Sequence, residues 1–405
     1  MELFHGVNVD WMGKAKYFVT LSLLLLAIGW ISIFRHHGLF YGIDFRGGTL
    51  VVVRFSGPPQ FDLIRKGLQS AGLPNKDVTS ISDMSDPNSR NDVEIGLEQQ
   101  AQGDESLDAT KQAVLNVLHK TFGTDTPGKP DFNSISSADL ALYLTQRDPL
   151  MLGTGAGDRY NQLARKLADA RDQVGIVRSF DELKTVDGAT PPVLSSLAGG
   201  YSLGNFAIRR IDSVGPRVGA QLRKQAILAT LYALAGMLVY IAFRFEWVYG
   251  AAAVIAVFHD VLITLGFFSL FHKEISLTVI AAFLTLVGYS MNDTIVIFDR
   301  VRENLRLMRR NPLPEIVNKS INQTLSRTIL TSGLTFLTVL VLYLMGGEVL
   351  RAFSFAMVVG VVVGTYSSFG IAAPIVVVWN KYRGQGAAAN AGSAAEKRVA
   401  ATARR

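Results

Sequence analysis

The chain has 405 residues, of which 49% are hydrophobic and 18% charged, and its mean hydropathy is +0.26. Soluble domains carry about 25% charged residues, so this composition excludes an ordinary soluble globule. The absence of cysteine excludes disulfides and thiolate chemistry, while the net charge of +7 comes largely from residues beside apolar runs and reads as membrane orientation, not nucleic-acid binding.

The apolar residues concentrate in runs at about 17–34, 225–243, 247–271, 275–298, 328–345 and 352–379. A helix rises about 1.5 Å per residue, so roughly 20 apolar residues cross a ~30 Å hydrocarbon core. The runs therefore predict six transmembrane helices. The first follows a polar stretch containing Lys14 and Lys16 and precedes His36-His37-Gly38. That pattern predicts a signal-anchor helix over 17–36, not a cleaved leader.

Between the fourth and fifth runs lie Arg300, Arg302, Arg306, Arg309, Arg310 and Lys319. The last segment adds Lys381, Arg383, Lys397, Arg398, Arg404 and Arg405. Short loops rich in Lys and Arg stay cytoplasmic. Counting back from them places 1–16 in the cytoplasm, 37–222 outside as a soluble domain, and helices two to six over 223–380. Residues 381–405 then form a disordered cytoplasmic tail, and the chain is a multi-pass protein of the cytoplasmic (inner) membrane.

Within the external segment, Leu50–Phe55, Val78–Met84, Asp92–Leu97 and Phe206–Ile211 read as strands. The second and third of these are separated by the turn residues Asp86-Pro87-Asn88. Phe61–Ala71 and Leu107–Phe122 have helical spacing. The order β-α-β-β-α-β predicts a ferredoxin-like sheet with helices on one face. An insertion at about 124–205 interrupts it, with helices near 137–147 and 158–173 and turn-rich pieces that include Pro191-Pro192. The predicted fold class is thus an α-helical polytopic membrane protein with an external α+β domain carrying an insertion.

Charged side chains inside hydrocarbon cost about 2.5–3.5 kcal/mol on insertion scales, so the few ionisable groups within the runs carry the information. They are Asp260 in the third run, Asp293 in the cytoplasmic half of the fourth, and Arg327 opening the fifth. Helical spacing puts Tyr289 and Ser290 on the face of Asp293, with Asn292 about 100° around the helix. Thr264 follows Asp260 by one turn. Thr324, Thr328, Thr331, Thr335 and Thr338 step by four and three beside Arg327, which predicts a hydroxyl stripe lining a polar seam.

A contact between Asp293 and Arg327 that forms and breaks would switch a carboxyl between holding and releasing a proton. A membrane potential of ~150 mV supplies roughly 3–4 kcal/mol per charge moved, the scale of such a switch. The competing readings are structural. The aspartates can be tied to polar neighbours, Arg327 can snorkel to the headgroups, and His259 fits either a relay or a packing role. Gly360 and Gly364 allow close approach of the last helix to another, in this chain or a second one. No metal-ligand spacing, nucleophile elbow or phosphate loop is present, so neither metal, cofactor nor enzymatic chemistry is expected.

Several stretches resemble the SecD/SecF family. Gly42-Ile43-Asp44-Phe45-Arg46-Gly47-Gly48-Thr49 is similar to its entrance to the external domain, and Ser213-Val214-Gly215-Pro216-Arg217-Val218-Gly219 to its exit. His259-Asp260-Val261, the run from Gly288 through Asp293 to Asn304, and Ser326-Arg327-Thr328 resemble SecF in particular. The likeness covers about 18–123 and 206–380 and departs from the family pattern at Thr124–Asn205. It implies the resistance–nodulation–division superfamily and a SecD partner supplying another set of helices. It also implies action with the SecYEG channel and the motor SecA, using proton flow to pull or hold unfolded polypeptide outside. Carried over by motif, Asp293 and Arg327 are the first transport residues and Asp260 the next, with Asp44, Arg46, Gly47 and Gly48 marking the domain entrance. Two other functions compete: half of a small-molecule or lipid exporter on the same scaffold, and a passive scaffold or assembly factor for a channel.

Overall fold

The computed structural model describes residues 8–73, 75–81, 91–97, 105–122, 129–153, 155–244 and 247–382. They fall into two compact units, Met1–Tyr41 with Lys224–Arg405, and Gly42–Arg223. The turn expected at Asp86-Pro87-Asn88 lies outside the described residues, as does the expected tail apart from Lys381 and Tyr382, which close the last helix.

Helix α1 runs from Trp11 to Arg35, beginning ahead of the expected start at 17. Asp10 caps it by accepting from the Gly13 N–H at 2.9 Å. The Met12 N–H donates to Asn318 Oδ1 (2.9 Å) and Trp11 Nε1–H to Asn322 Oδ1 (3.1 Å), so two asparagines from far along the chain satisfy the exposed first turn.

The second unit opens on the short helix α2 (Ile43–Arg46), followed by β1 (Gly48–Phe55), α3 (Phe61–Ser70), β2 (Asn75–Ile81), β3 (Asp92–Leu97) and α4 (Glu105–Phe122). Helices α5 (Ser137–Arg147), α6 (Gly157–Val174) and α7 (Pro191–Gly200) precede the last strand, β4 (Phe206–Val214). The strands form one sheet in the order β2-β3-β1-β4, antiparallel throughout. This is the ferredoxin-like arrangement that the order of elements predicts.

Strand β1 is buried along its whole length. Its Val51, Val53 and Phe55 alternate onto one face and meet Ile64 and Leu68 of α3 and Val114 and Leu118 of α4. The opposite face carries Arg54, in register with Asp92 of β3. The two make a buried two-pronged pair, Nε–Oδ1 at 2.6 Å and Nη2–Oδ2 at 2.7 Å. Gly175 follows α6 with φ +88°, and a Cβ there would stand 2.5 Å from Arg54 Nη1. Only glycine lets the backbone close over that pair.

Residues 129–205 build a helical subdomain around a core of their own, with Phe132, Leu140, Leu144, Tyr160, Leu167 and Tyr201 at its centre. Within it Asn133 donates to Val177 O (3.0 Å) and Gly204 O (3.2 Å), joining the segment after α6 to the residues that lead into β4. Asp148 ends α5 in the left-handed region and accepts from Tyr160 Oη at 2.7 Å. That hydroxyl, with the Gly153 and Leu152 N–H groups, holds its carboxyl below the usual range. Pro191-Pro192, expected in a turn, instead start α7, because proline in a first turn forfeits no helical hydrogen bond.

Helices α8 (Pro216–Arg244), α9 (Trp247–Leu270), α10 (Leu277–Leu307), α11 (Leu313–Met345) and α12 (Gly347–Ser367) complete the chain. The last passes through a π-helical turn at Ser368–Ala372 and continues helical to Tyr382. Among the described residues six helices are long and apolar enough to cross a membrane, α1 and the five from α8 onward. Helix α11 begins at Leu313, well before the apolar run at 328. Its early part is amphipathic and buries Ile316, Val317 and Ile321, while Asn304 of α10 donates to Ser320 Oγ and Gln323 Oε1, each at 2.8 Å. Arg327 therefore lies inside a helix and does not open one.

Candidate functional site

Small residues bring the helices of the first unit close together. A Cβ on Gly29 would lie 2.7 Å from Gly266 Cα, so α1 and α9 touch through their backbones, and one turn on Ser32 and Ser269 share a hydrogen bond of 2.9 Å. Gly360 of α12 faces Leu286, and Gly364 faces Ser290, where an added Cβ would lie 3.0 Å from the serine Cβ. The close approach allowed by these glycines is thus made within the chain, against α10.

Into this contact α9 projects Asp260, which is 0% exposed. Its Oδ2 accepts from Ser290 Oγ of α10 at 2.5 Å and from Ser367 Oγ of α12 at 2.8 Å. Its Oδ1 lies 2.8 Å from His259 Nδ1. Three helices therefore meet on one carboxyl. The π turn begins just after Ser367, and Ser368 Oγ accepts from Thr294 Oγ1 of α10 at 3.2 Å, so two consecutive hydroxyls engage two different helices, Ser367 the carboxyl on α9 and Ser368 a threonine on α10. Such one-turn distortions of α-helices concentrate at functional sites.

Asp293 sits three residues beyond Ser290, about 4.5 Å along α10, and is 3% exposed. Its Oδ2 accepts from Ser332 Oγ of α11 at 2.8 Å. Asn292 stands beside it on the same helix with its side chain exposed. Arg327 is exposed and makes no ion pair with Asp293 in this arrangement, so the direct contact expected from the sequence is open here.

Other residues are placed less as their spacing suggests. Thr264 is buried, yet its hydroxyl bonds back to the Asp260 carbonyl (2.8 Å) and leaves the carboxyl alone. Tyr289 Oη and Thr328 Oγ1 are buried without a partner. The threonine stripe divides. Thr324 and Thr328 face inward, whereas Thr331 and Thr338 are exposed and bond to carbonyls of their own helix. Ser332 continues the inward line because it stands about 100° from Thr331 around the helix. Ser332, Ser367 and Ser368 carry the contacts that sequence reasoning missed. A serine in an apolar run gives no direction by itself, although Gly364, one turn before Ser368, marks the face that packs.

At the domain entrance, Gly47 has φ +77° and a Cβ there would lie 2.7 Å from Pro216 Cα. Gly48 opens β1, Asp44 lies in the first turn of α2, and Arg46 is exposed at its end. Within this unit Gly47 brings the start of the sheet against the start of α8.

Comparison with known proteins accounts for this combination. The family model described as "Protein export membrane protein SecD/SecF, C-terminal" matches residues 196–382, and the "SecD/SecF GG Motif" matches 36–59, which contains Gly47 and Gly48. Protein translocase subunit SecF of Koribacter versatilis is 47% identical over 98% of each chain. The chain belongs to the SecF family. The SecF subunit of Escherichia coli O157:H7 is 34% identical, over 93% of this chain and 90% of that one. The crystal structure of SecDF from Thermus thermophilus superposes with a TM-score of 0.62 at 31% identity and covers 93% of this chain, which in turn spans 39% of that longer protein. Membership of the SecF family and six membrane-length helices make this a multi-pass membrane protein of the protein translocase.

Proposed function

We propose that this SecF-family chain couples proton flow to late steps of polypeptide export, with Asp293 and Asp260 as proton carriers and Arg327 as the cation that biases Asp293. The observation that carries the reading is the condition of Asp293. It is buried inside a membrane-length helix and accepts from a serine hydroxyl, with Arg327 of the neighbouring helix exposed and not ion-paired to it. A buried carboxyl with a mobile counter-charge loads and unloads a proton as that charge approaches and withdraws. A purely structural aspartate would be better served by a closed pair, because an unpaired buried charge is costly.

In this reading the orientation follows the basic loops, with both termini cytoplasmic and the ferredoxin-like domain outside. The partners are SecD, the SecYEG channel with SecA, and unfolded exported polypeptide. The likeness to part of a SecDF chain supports a SecD-like complement to this one. Asp293→Asn keeps the shape of the side chain and removes its titration. It is expected to insert and assemble normally but to lose proton-gradient stimulation of export in inverted vesicles. Full stimulation by this variant would exclude Asp293 as the carrier.

A further inference from the structure

His259 is a buried titratable group that a relay of Asp260, Asp293 and Arg327 leaves idle. It lies in the middle of α9 and is 8% exposed. Its Nδ1 is engaged with Asp260 Oδ1 at 2.8 Å, while its Nε2 is buried and has no partner in the protein. A ring needed only for packing would be better made of carbon, since a buried ring nitrogen without a partner is penalised.

The surroundings fix the chemistry of that nitrogen. On α9 the ring meets Asp260, whose second oxygen is taken by Ser290 of α10 and Ser367 of α12. From α12, Tyr366 stands edge-on to the imidazole, with ring centroids 6.1 Å apart, and its hydroxyl shares a 3.0 Å hydrogen bond with Ser22 of α1. Among the described residues no lysine or arginine is paired with His259 or Asp260. An ionised Asp260 takes three donors, two hydroxyls and Nδ1–H, which sets the neutral tautomer of the ring. Nε2 is then a lone-pair acceptor enclosed in the helix bundle with nothing to accept. A buried acceptor of this kind calls for water.

We propose that His259 and Asp260 form a two-residue proton station, loaded through Nε2 by a water molecule inside the bundle. This rests on the proton-flow reading above and adds a site and an order of events to it. In loading, a hydronium gives its proton to Nε2 and leaves as water. The Nδ1–H bond breaks as its proton passes to Asp260 Oδ1. The pair then holds a neutral ring with Nε2–H and a neutral carboxyl, one proton and one positive charge more than before. Run backwards, the same step unloads it. Ser290 connects the station to Asp293, because it donates to Asp260 and lies one turn before Asp293 on the same helix.

The test uses the full chain with its partner subunit in sealed vesicles. In His259→Asn an amide N–H can replace the Nδ1 donor, but the side chain cannot titrate. It is expected to assemble and to lose about 10²-fold of proton uptake, the scale of a lost acid–base group. Asp293→Asn is measured beside it. Wild-type uptake by His259→Asn together with loss in Asp293→Asn overturns the station and spares the relay. Wild-type uptake by both overturns the relay and the station with it. Should His259→Asn fail to assemble, nitrogen NMR of labelled histidine in the unmodified protein decides: exchange of the Nε2 site with water is expected, and a dry, non-exchanging ring overturns the proposal.

Discussion

At the scale of single residues, the two aspartates differ in how they are held. Asp260 has donors on both oxygens from three helices, so it cannot move without disturbing all of them. Asp293 is secured across the helix interface, among the described residues, by Ser332. A hydrogen bond to a charged acceptor is worth about 1.5–3 kcal/mol, so, in the proposed relay, Ser332 would weigh heavily on the exchange of Asp293 between Ser332 and Arg327. Ser332→Ala is expected to lower proton flux roughly ten- to a hundredfold, as that energy implies, with Ser332→Thr restoring it. Equal flux in the alanine variant and the wild type, measured in vesicles, would show that the hydroxyl only fills space. The acidic residues were legible in the sequence because charge in an apolar run is expensive. Of their serine partners only Ser290 was singled out, on the face of Asp293, whereas its hydroxyl serves Asp260. Ser332 and Ser367 were not, because a serine pays little to sit in such a run on any face.

At the scale of elements, legibility followed the strength of local signals. Helix α5 was expected at its true bounds because Ser136 caps it and Leu140, Ala141 and Leu144 repeat at helical spacing. Helix α7 was obscured by its two leading prolines, which resemble a turn until their place in the first helical turn is known. Helix α11 was cut short because hydropathy ends where the helix leaves the apolar zone, while its hydrogen bonds and buried stripe continue. The ion pair Arg54–Asp92 could not be foreseen, since the two residues are separated by 38 positions and meet only through strand register. It fastens β1 to β3 beneath the backbone of Gly175. Breaking a buried pair by removing one partner costs about 3–5 kcal/mol, whereas replacing both by apolar residues is often close to neutral. Asp92→Ala is therefore expected to unfold this unit at clearly lower denaturant than Arg54→Met with Asp92→Leu, followed by protease sensitivity. Equal loss in both would mean that the pair itself, not the avoidance of a lone charge, stabilises the domain.

At the scale of the whole molecule, a ferredoxin-like unit with a helical subdomain accompanies a bundle whose interior holds two carboxyls, a histidine and a row of hydroxyls. The bundle is apolar on its outer surface, with Leu23, Leu231, Leu337 and Val362 among its exposed side chains, and carries a polar cluster where α9, α10 and α12 meet. Such a bundle is an engine only if charge crosses it. The decisive quantity is the proton current through sealed vesicles holding this chain and its SecD partner under an imposed pH gradient, for the wild type and for Asp260→Asn with Asp293→Asn. The account predicts a current in the first that is absent in the second, with equal amounts of assembled protein. An undiminished current in the double variant would contradict it and leave the two aspartates as fastenings of a passive frame.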